Sequence, residues 1–180
     1  MKVIYVTSES YIDHGYTIIK ELDKHIELKV YLQAKEITEE ISIWLKKLGA
    51  EFIKRKRFSN PLSFFSEISF VLKLRKQKPD LVWFNTLTIY QVFLVKILIR
   101  NFLVVMHDVE LHPESKERHG SLSTRLTLKY YRHNVCAVSK MQAELFSKNT
   151  GISPFIFQLP VIDYYEDCAE KLTAEIQHDN

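Results

Sequence analysis

Glycine is scarce in this chain: Gly15, Gly49, Gly120 and Gly151 are the four among 180 residues. Their scatter leaves no G-x-G-x-x-G after the first apolar run and no G-x-x-x-x-G-K-[ST] anywhere, which disfavours direct dinucleotide or P-loop phosphate binding. Cysteine is scarcer still. Cys136 and Cys168 have no CxxC partner and no surrounding ligand pattern, so they suggest neither a zinc site nor a disulfide framework and fit a reducing cytoplasm. G-x-S-x-G, H-E-x-x-H and the kinase signature set are absent too. Net charge is only +3 with a pI near 8.7, which argues against a dedicated nucleic-acid surface. The N-terminus enters the apolar run 3–6 directly, without the three regions of a signal peptide. The most membrane-like stretch, 87–106, is broken by Gln91, Lys96, Arg100 and Asn101 where a spanning helix needs roughly 20 mostly apolar residues, so it reads as a core helix and a strand.

What is present is an ordinary globular composition, 46% hydrophobic and 26% charged, in a chain long enough for one domain with a core. Short runs rich in Val, Ile, Phe and Tyr alternate with longer segments of helical period, the pattern of repeated βαβ units. The spacing predicts strands at 2–7, 27–33, 51–54, 81–84, 102–106, 135–138 and 154–159. Helices are expected at 16–25, 36–48, 62–76, 87–99, 123–133 and 140–149, with a polar loop at 8–15. Ile37, Ile41, Trp44, Leu45 and Leu48 fall on one helical face. Gly49 and Gly151 stand where a left-handed residue ends a helix. The continuously apolar strands 81–84, 102–106 and 135–138 suit a sheet covered on both faces and should be central. The expectation is an α/β fold with a doubly wound parallel sheet of about seven strands over residues 1–162, followed by an acidic tail or linker at 163–180.

In such a sheet ligands collect beyond the carboxyl ends of the strands. Those positions are polar here: Ser8, Glu9, Ser10, Asp13 and His14, then Asn85 and Thr86, then His107 and Asp108, then Ser139. Ser8, Thr86 and Ser139 also suit helix caps. The densest chemistry lies at 104–113, with His107, Asp108, Glu110 and His112, and His119 beyond. The spacing matches no compact metal motif. A His-Asp pair in a ligand crevice suits the orientation of a sugar hydroxyl, and equally a structural hydrogen bond. A second cluster, Lys54, Arg55, Lys56 and Arg57, precedes Phe58, Phe64 and Phe65. It reads as a solvated basic turn or as an interfacial patch whose cations meet anionic lipid.

These segments resemble a family. The opening "MKVIYVTSESYIDHGYTIIKEL", the strand entry "KPDLVWFNT", the strand "FLVVMHDVELHP" and the run "NVCAVSKMQAELFSKNTGISPFIFQLPVID" resemble, in order, the N-terminal acceptor-side domain of GT-B glycosyltransferases, especially retaining family 4. Departures are a single Gly15 where many relatives carry two glycines, Asn85 where His is frequent, and Val161-Ile162-Asp163 after Pro160 in place of Asn-Gly.

The resemblance implies a Rossmann-like domain that binds the acceptor of a hexosyltransferase in cell-surface polysaccharide or glycolipid assembly. It implies acceptor contacts from Ser8, Asp13, His14, Gly15, Asn85, Thr86, His112 and Ser139, with His107 and Asp108 at the reaction cleft. The partners implied are a sugar or lipid-linked acceptor and a second, donor-binding domain or chain, with no nucleic acid. No cofactor is expected in this chain, the nucleotide-sugar donor belonging to the complete enzyme. Lys54 to Arg57 would face an anionic membrane, placing the protein in the cytoplasm at the inner membrane face. The alternative is a non-catalytic binding or scaffold module acting through a partner protein.

Overall fold

A computed structural model describes residues 1–56, 60, 62–107 and 118–157, without the side chains of residues 12–14, 17, 40 and 118–121. In chain order the elements are β1 (Lys2–Ser8), a 3-10 turn (Glu9–Tyr11), α1 (Ile12–Leu22), β2 (Glu27–Ala34), α2 (Glu39–Leu48), β3 (Glu51–Lys54), α3 (Leu62–Lys76) and β4 (Leu81–Phe84). They continue with α4 (Ile89–Leu98), β5 (Phe102–Met106), α5 (Arg118–Tyr131), β6 (Val135–Ala137), α6 (Lys140–Thr150) and β7 (Phe155–Ile156). The seven strands form one sheet in the order β3-β2-β1-β4-β5-β6-β7, and every adjacent pair is parallel. This is the doubly wound α/β fold that the alternation predicts.

Side-chain alternation along the strands decides which layer each helix joins. Ile4, Val6, Val82, Phe84 and Val104 pack with Phe70, Val71 and Leu74 of α3, Val92 and Val95 of α4, and Tyr131 of α5. Met106 and Val135 extend that face under Phe146 of α6. On the opposite face Val3, Tyr5 and Val30 meet Ile18 and Ile19 of α1. Leu32 and Ala34 meet Ile41 and Trp44 of α2. Each large side chain fully buried this way contributes about 1.5–3 kcal/mol relative to exposure. Strand order reverses between β1 and β4, so the topological switch point lies there.

Local chemistry fixes the helix ends. Thr38 caps α2 through a bond from the Ile41 backbone amide, and Thr88 and Gln91 form a reciprocal capping box on α4. Gly49 and Gly151 take left-handed conformations at φ 57° and 71°, as expected for the residues that stop α2 and α6.

Several boundaries differ from expectation. Residues 9–15, read as a loop, are a 3-10 turn and the first turn of α1, because no breaker precedes Gly15 and one glycine is tolerated inside a helix. Ile37 is exposed and precedes the Thr38 cap, so it lies off the α2 face that buries Ile41 and Trp44. Helix α5 begins five residues early, at Arg118. Of the strand expected at 154–159, the described part pairs only at Phe155–Ile156.

Candidate functional site

Because all strands run parallel, the positions after β1, β4, β5 and β6 open on one edge of the sheet. Asn85, the residue after β4, is fully buried at the switch point. A buried amide must place all its polar groups. Its backbone N–H donates to the Val6 carbonyl at 2.8 Å, and its Nδ2 donates to Thr7 Oγ1 at 3.2 Å. Its Oδ1 lies 2.9 Å from His107 Nε2, at the end of β5. A carbonyl oxygen only accepts, so His107 Nε2 carries the proton and the basic lone pair of the neutral ring resides on Nδ1. Tyr11, from the turn after β1, stacks on the imidazole with centroids 4.1 Å apart and planes 14° off parallel.

Gly15 completes this group from α1. A β-carbon there would stand 3.5 Å from Thr7 Oγ1 and 3.8 Å from Tyr5 Cε1, ordinary contact distances, so α1 lies directly over the end of β1. The assembly Thr7–Asn85–His107–Tyr11 thus spans the switch point and fixes the tautomer, tilt and position of one half-buried imidazole.

A second polar assembly occupies the other face of the same edge. Gln91, fully buried in the first turn of α4, donates from Nε2 to Glu67 Oε2 at 2.8 Å and to Gln33 Oε1 at 3.3 Å. Its Oε1 accepts from the Thr88 backbone amide at 3.0 Å. Burial pushes the Glu67 carboxyl above the usual range, while Gln91's hydrogen bond, the Arg55 charge and Thr88's hydroxyl pull it partly back.

The expected site residues divide accordingly. Gly15, Asn85 and His107 come together with Thr7 and Tyr11. Ser8 is buried and shares the strand parity of Ile4 and Val6, which places it on the α3–α4 side. Thr86 is half-buried and caps nothing; Thr88 caps α4 instead. Ser139 is the α6 N-cap, its Oγ accepting from the Gln142 backbone amide at 3.2 Å. The backbones of Asp13 and His14 lie in the first turn of α1, and their side chains lie outside the description. Asp108, His112, Arg57 and residues 163–180 lie outside the described residues. Lys54 and Lys56 are exposed, whereas Arg55 is half-buried beside Glu67.

Thr7, Tyr11, Gln33, Glu67 and Gln91 were missed by sequence reasoning. One signal was visible: Gln91 interrupts an otherwise apolar helix, and a lone amide there must find buried partners. Burial pushes the Cys136 thiol up to about 11, which leaves it an inert core group. Among the described residues, no three His, Cys, Asp or Glu side chains converge as a metal site.

The class defined by this sheet order and layering is the Rossmann-like, GT-B-type fold. No protein-family model matches the chain, and no curated protein matches it by sequence. Solved structures do. UDP-N-acetylglucosamine 2-epimerase from Rickettsia bellii matches with a TM-score of 0.64 at 11% identity, over 98% of this chain and 49% of that one. The UDP-GlcNAc 2-epimerase from Methanocaldococcus jannaschii gives 0.63 at 15% identity, over 88% of this chain and 45% of that one. A glycosyltransferase from Rickettsia africae gives 0.58 at 16% identity, over 96% and 50%. The chain therefore spans about half the length of these proteins, and the likeness is one of fold.

Proposed function

We propose that this domain is the acceptor-binding half of a glycosyltransferase that moves a sugar from a nucleotide-sugar donor to a cell-surface polysaccharide or glycolipid, the donor being held by a second domain or chain. The observation that carries the reading is the fixed His107 imidazole at the carboxyl edge of β5, bonded to Asn85 and stacked on Tyr11 beside the switch point. The fold shared with a glycosyltransferase and with UDP-sugar epimerases supports the same class of chemistry.

In this reading His107 positions an acceptor hydroxyl. With Nε2 committed as a donor to Asn85, Nδ1 is the nitrogen that accepts a hydrogen bond from a sugar hydroxyl and, in the reaction, takes its proton. Asn85 is a positioning residue that acts through the imidazole, and Asp108, the next residue in the sequence, is assigned an electrostatic role. The sequence carries neither a G-x-G-x-x-G nor a P-loop motif, and the reading assigns the donor to the second domain.

The test is a titration of the isotopically labelled chain with a panel of oligosaccharide and lipid-linked sugar acceptors, alongside calorimetry with sugar nucleotides. Amide shifts concentrated at Gly15, Asn85 and His107 on acceptor addition, with sugar nucleotides binding more weakly than about 1 μM, are expected. Tight sugar-nucleotide binding, or acceptor shifts remote from His107, would overturn the assignment.

A further inference from the structure

Helices α3, α4 and α5 cover one face of the sheet with their inner sides, and their outer sides are unusual. More than half of the large apolar side chains exposed among the described residues sit on these three helices. Phe65 is 65% exposed, Phe93 50% and Ile97 78%, although each lies in a helix with a fully formed inner face. The exposed groups are connected. Phe64 contacts Phe65 at 5.8 Å and Tyr90 of α4 at 5.3 Å between ring centroids, and Phe93 meets Tyr130 of α5 at 6.4 Å. Tyr90, Phe93 and Ile97 follow the i, i+3, i+7 spacing of one helical stripe. An aromatic band therefore runs across all three helices.

Charge on this layer has one sign. The sequences of α3, α4 and α5 contain a single carboxylate, Glu67, and it is buried under Gln91. The exposed ionic groups are cations, among them Arg75, Lys96, Arg125 and Lys129. Lys96 and Lys129 place their ammonium groups 5.6 and 5.5 Å from the Tyr130 ring centroid. The other helices mix signs: α1 carries Lys20 and Glu21, α2 Glu39 and Lys46, and α6 Lys140 and Glu144. Lys54, the last residue of β3, and Lys56 beyond it are exposed cations that precede α3 in the chain.

We propose that the outer face of α3–α4–α5 docks flat on an anionic lipid bilayer, with Phe65, Phe93 and Ile97 entering the interface and the Lys and Arg heads meeting lipid phosphates. Aromatic rings and flexible cationic stems are the groups that occupy the boundary between acyl chains and headgroups. Several lysines and arginines near such a surface give additive attraction to acidic lipid. A second copy of the chain fits less well, since two-fold packing through this face sets cation against cation with no exposed carboxylate on these helices to pair them. Among the described residues, no helix is long and apolar enough to cross a membrane, so the contact is a surface one. The inference rests on this helix layer alone and stands apart from the chemistry assigned to His107.

The experiment is co-sedimentation of the full chain with phosphatidylcholine vesicles, with and without phosphatidylglycerol, at low and high salt. Binding only to the anionic vesicles, weakening as salt rises, is expected. Replacing Phe65→Ser, Phe93→Ser and Ile97→Ser together should lower partitioning by about tenfold or more with the melting temperature nearly kept, because these side chains are half or more exposed. The set Lys96→Gln, Arg125→Gln and Lys129→Gln should lower it comparably. The proposal is overturned if the unaltered chain stays in the supernatant at low salt, or if both sets bind as before. It is equally overturned if sedimentation velocity without lipid shows a dimer that the apolar set dissolves, which would make this a protein interface.

Discussion

Asn85 and His107, on neighbouring strands β4 and β5, share a 2.9 Å hydrogen bond in which the buried amide oxygen accepts and the imidazole Nε2 donates. On its other side the same amide donates from Nδ2 to Thr7 Oγ1. Replacing Asn85→Ala leaves both partners short of a hydrogen bond at a fully buried position. Urea denaturation should show a loss of about 1–3 kcal/mol. A variant as stable as the parent would mean that the network adds nothing to the fold.

Gly15 offers a test that separates folding from binding. It lies inside α1 without a left-handed φ, and a methyl group there meets its neighbours at ordinary distances. Gly15→Ala should therefore leave stability unchanged or raise it by up to about 1 kcal/mol, the usual helix preference for alanine. If Gly15 borders the acceptor, as its place in the proposed site implies, acceptor affinity should fall in the same variant. Thermal unfolding reads the first effect and the acceptor titration the second. A destabilised variant would show that α1 has no room above β1.

Glu67 gives a pH dependence whose sign is fixed by burial. Its carboxyl titrates above the usual range in the folded chain, mainly because burial penalises the charge. Between the unfolded and folded values the folded chain holds the proton more firmly. Its contribution to stability therefore falls as pH rises through that window and stays low above it. Glu67→Gln keeps an acceptor for Gln91 Nε2 and removes the titration. The stability difference between variant and parent should move in the variant's favour as pH rises through the window, measured by denaturation at a series of pH values. A difference that moves the other way would mean that Arg55 and Gln91 outweigh desolvation.

The layered fold was legible because apolar runs and helical periods alternate so regularly. The ranges of α3, β4 and β5 coincide with those read from the sequence, each bounded by a clear change in polarity. The start of α1 was not legible, since Ser8 to Gly15 is polar and carries a glycine, features that loops share with a first helical turn. The start of α5 was hidden for a similar reason: 118–121 lacks apolar periodicity.

The lateral strand order could not be read locally, because nothing in β2 or β3 states on which side of β1 they lie. His107 was expected near the switch point, at the reaction cleft on the carboxyl edge of the sheet. The structure places the switch one strand away, between β1 and β4, and Asn85 bridges the distance. Tyr11 and Thr7 escaped notice because a site assembled across three strand ends leaves no spacing motif in the chain.

The most direct measurement of the central claim is kcat/KM for acceptor, with His107→Ala, in the complete two-domain enzyme that the proposal calls for. The account predicts a fall of at least about tenfold, roughly 1.4 kcal/mol of transition-state stabilisation, with the folded state retained. Asn85→Ala, acting through the imidazole, should produce a smaller fall together with a changed pH–rate profile. Parental turnover in a correctly folded His107→Ala enzyme would contradict the account and leave the imidazole a structural tie between β5 and the turn after β1.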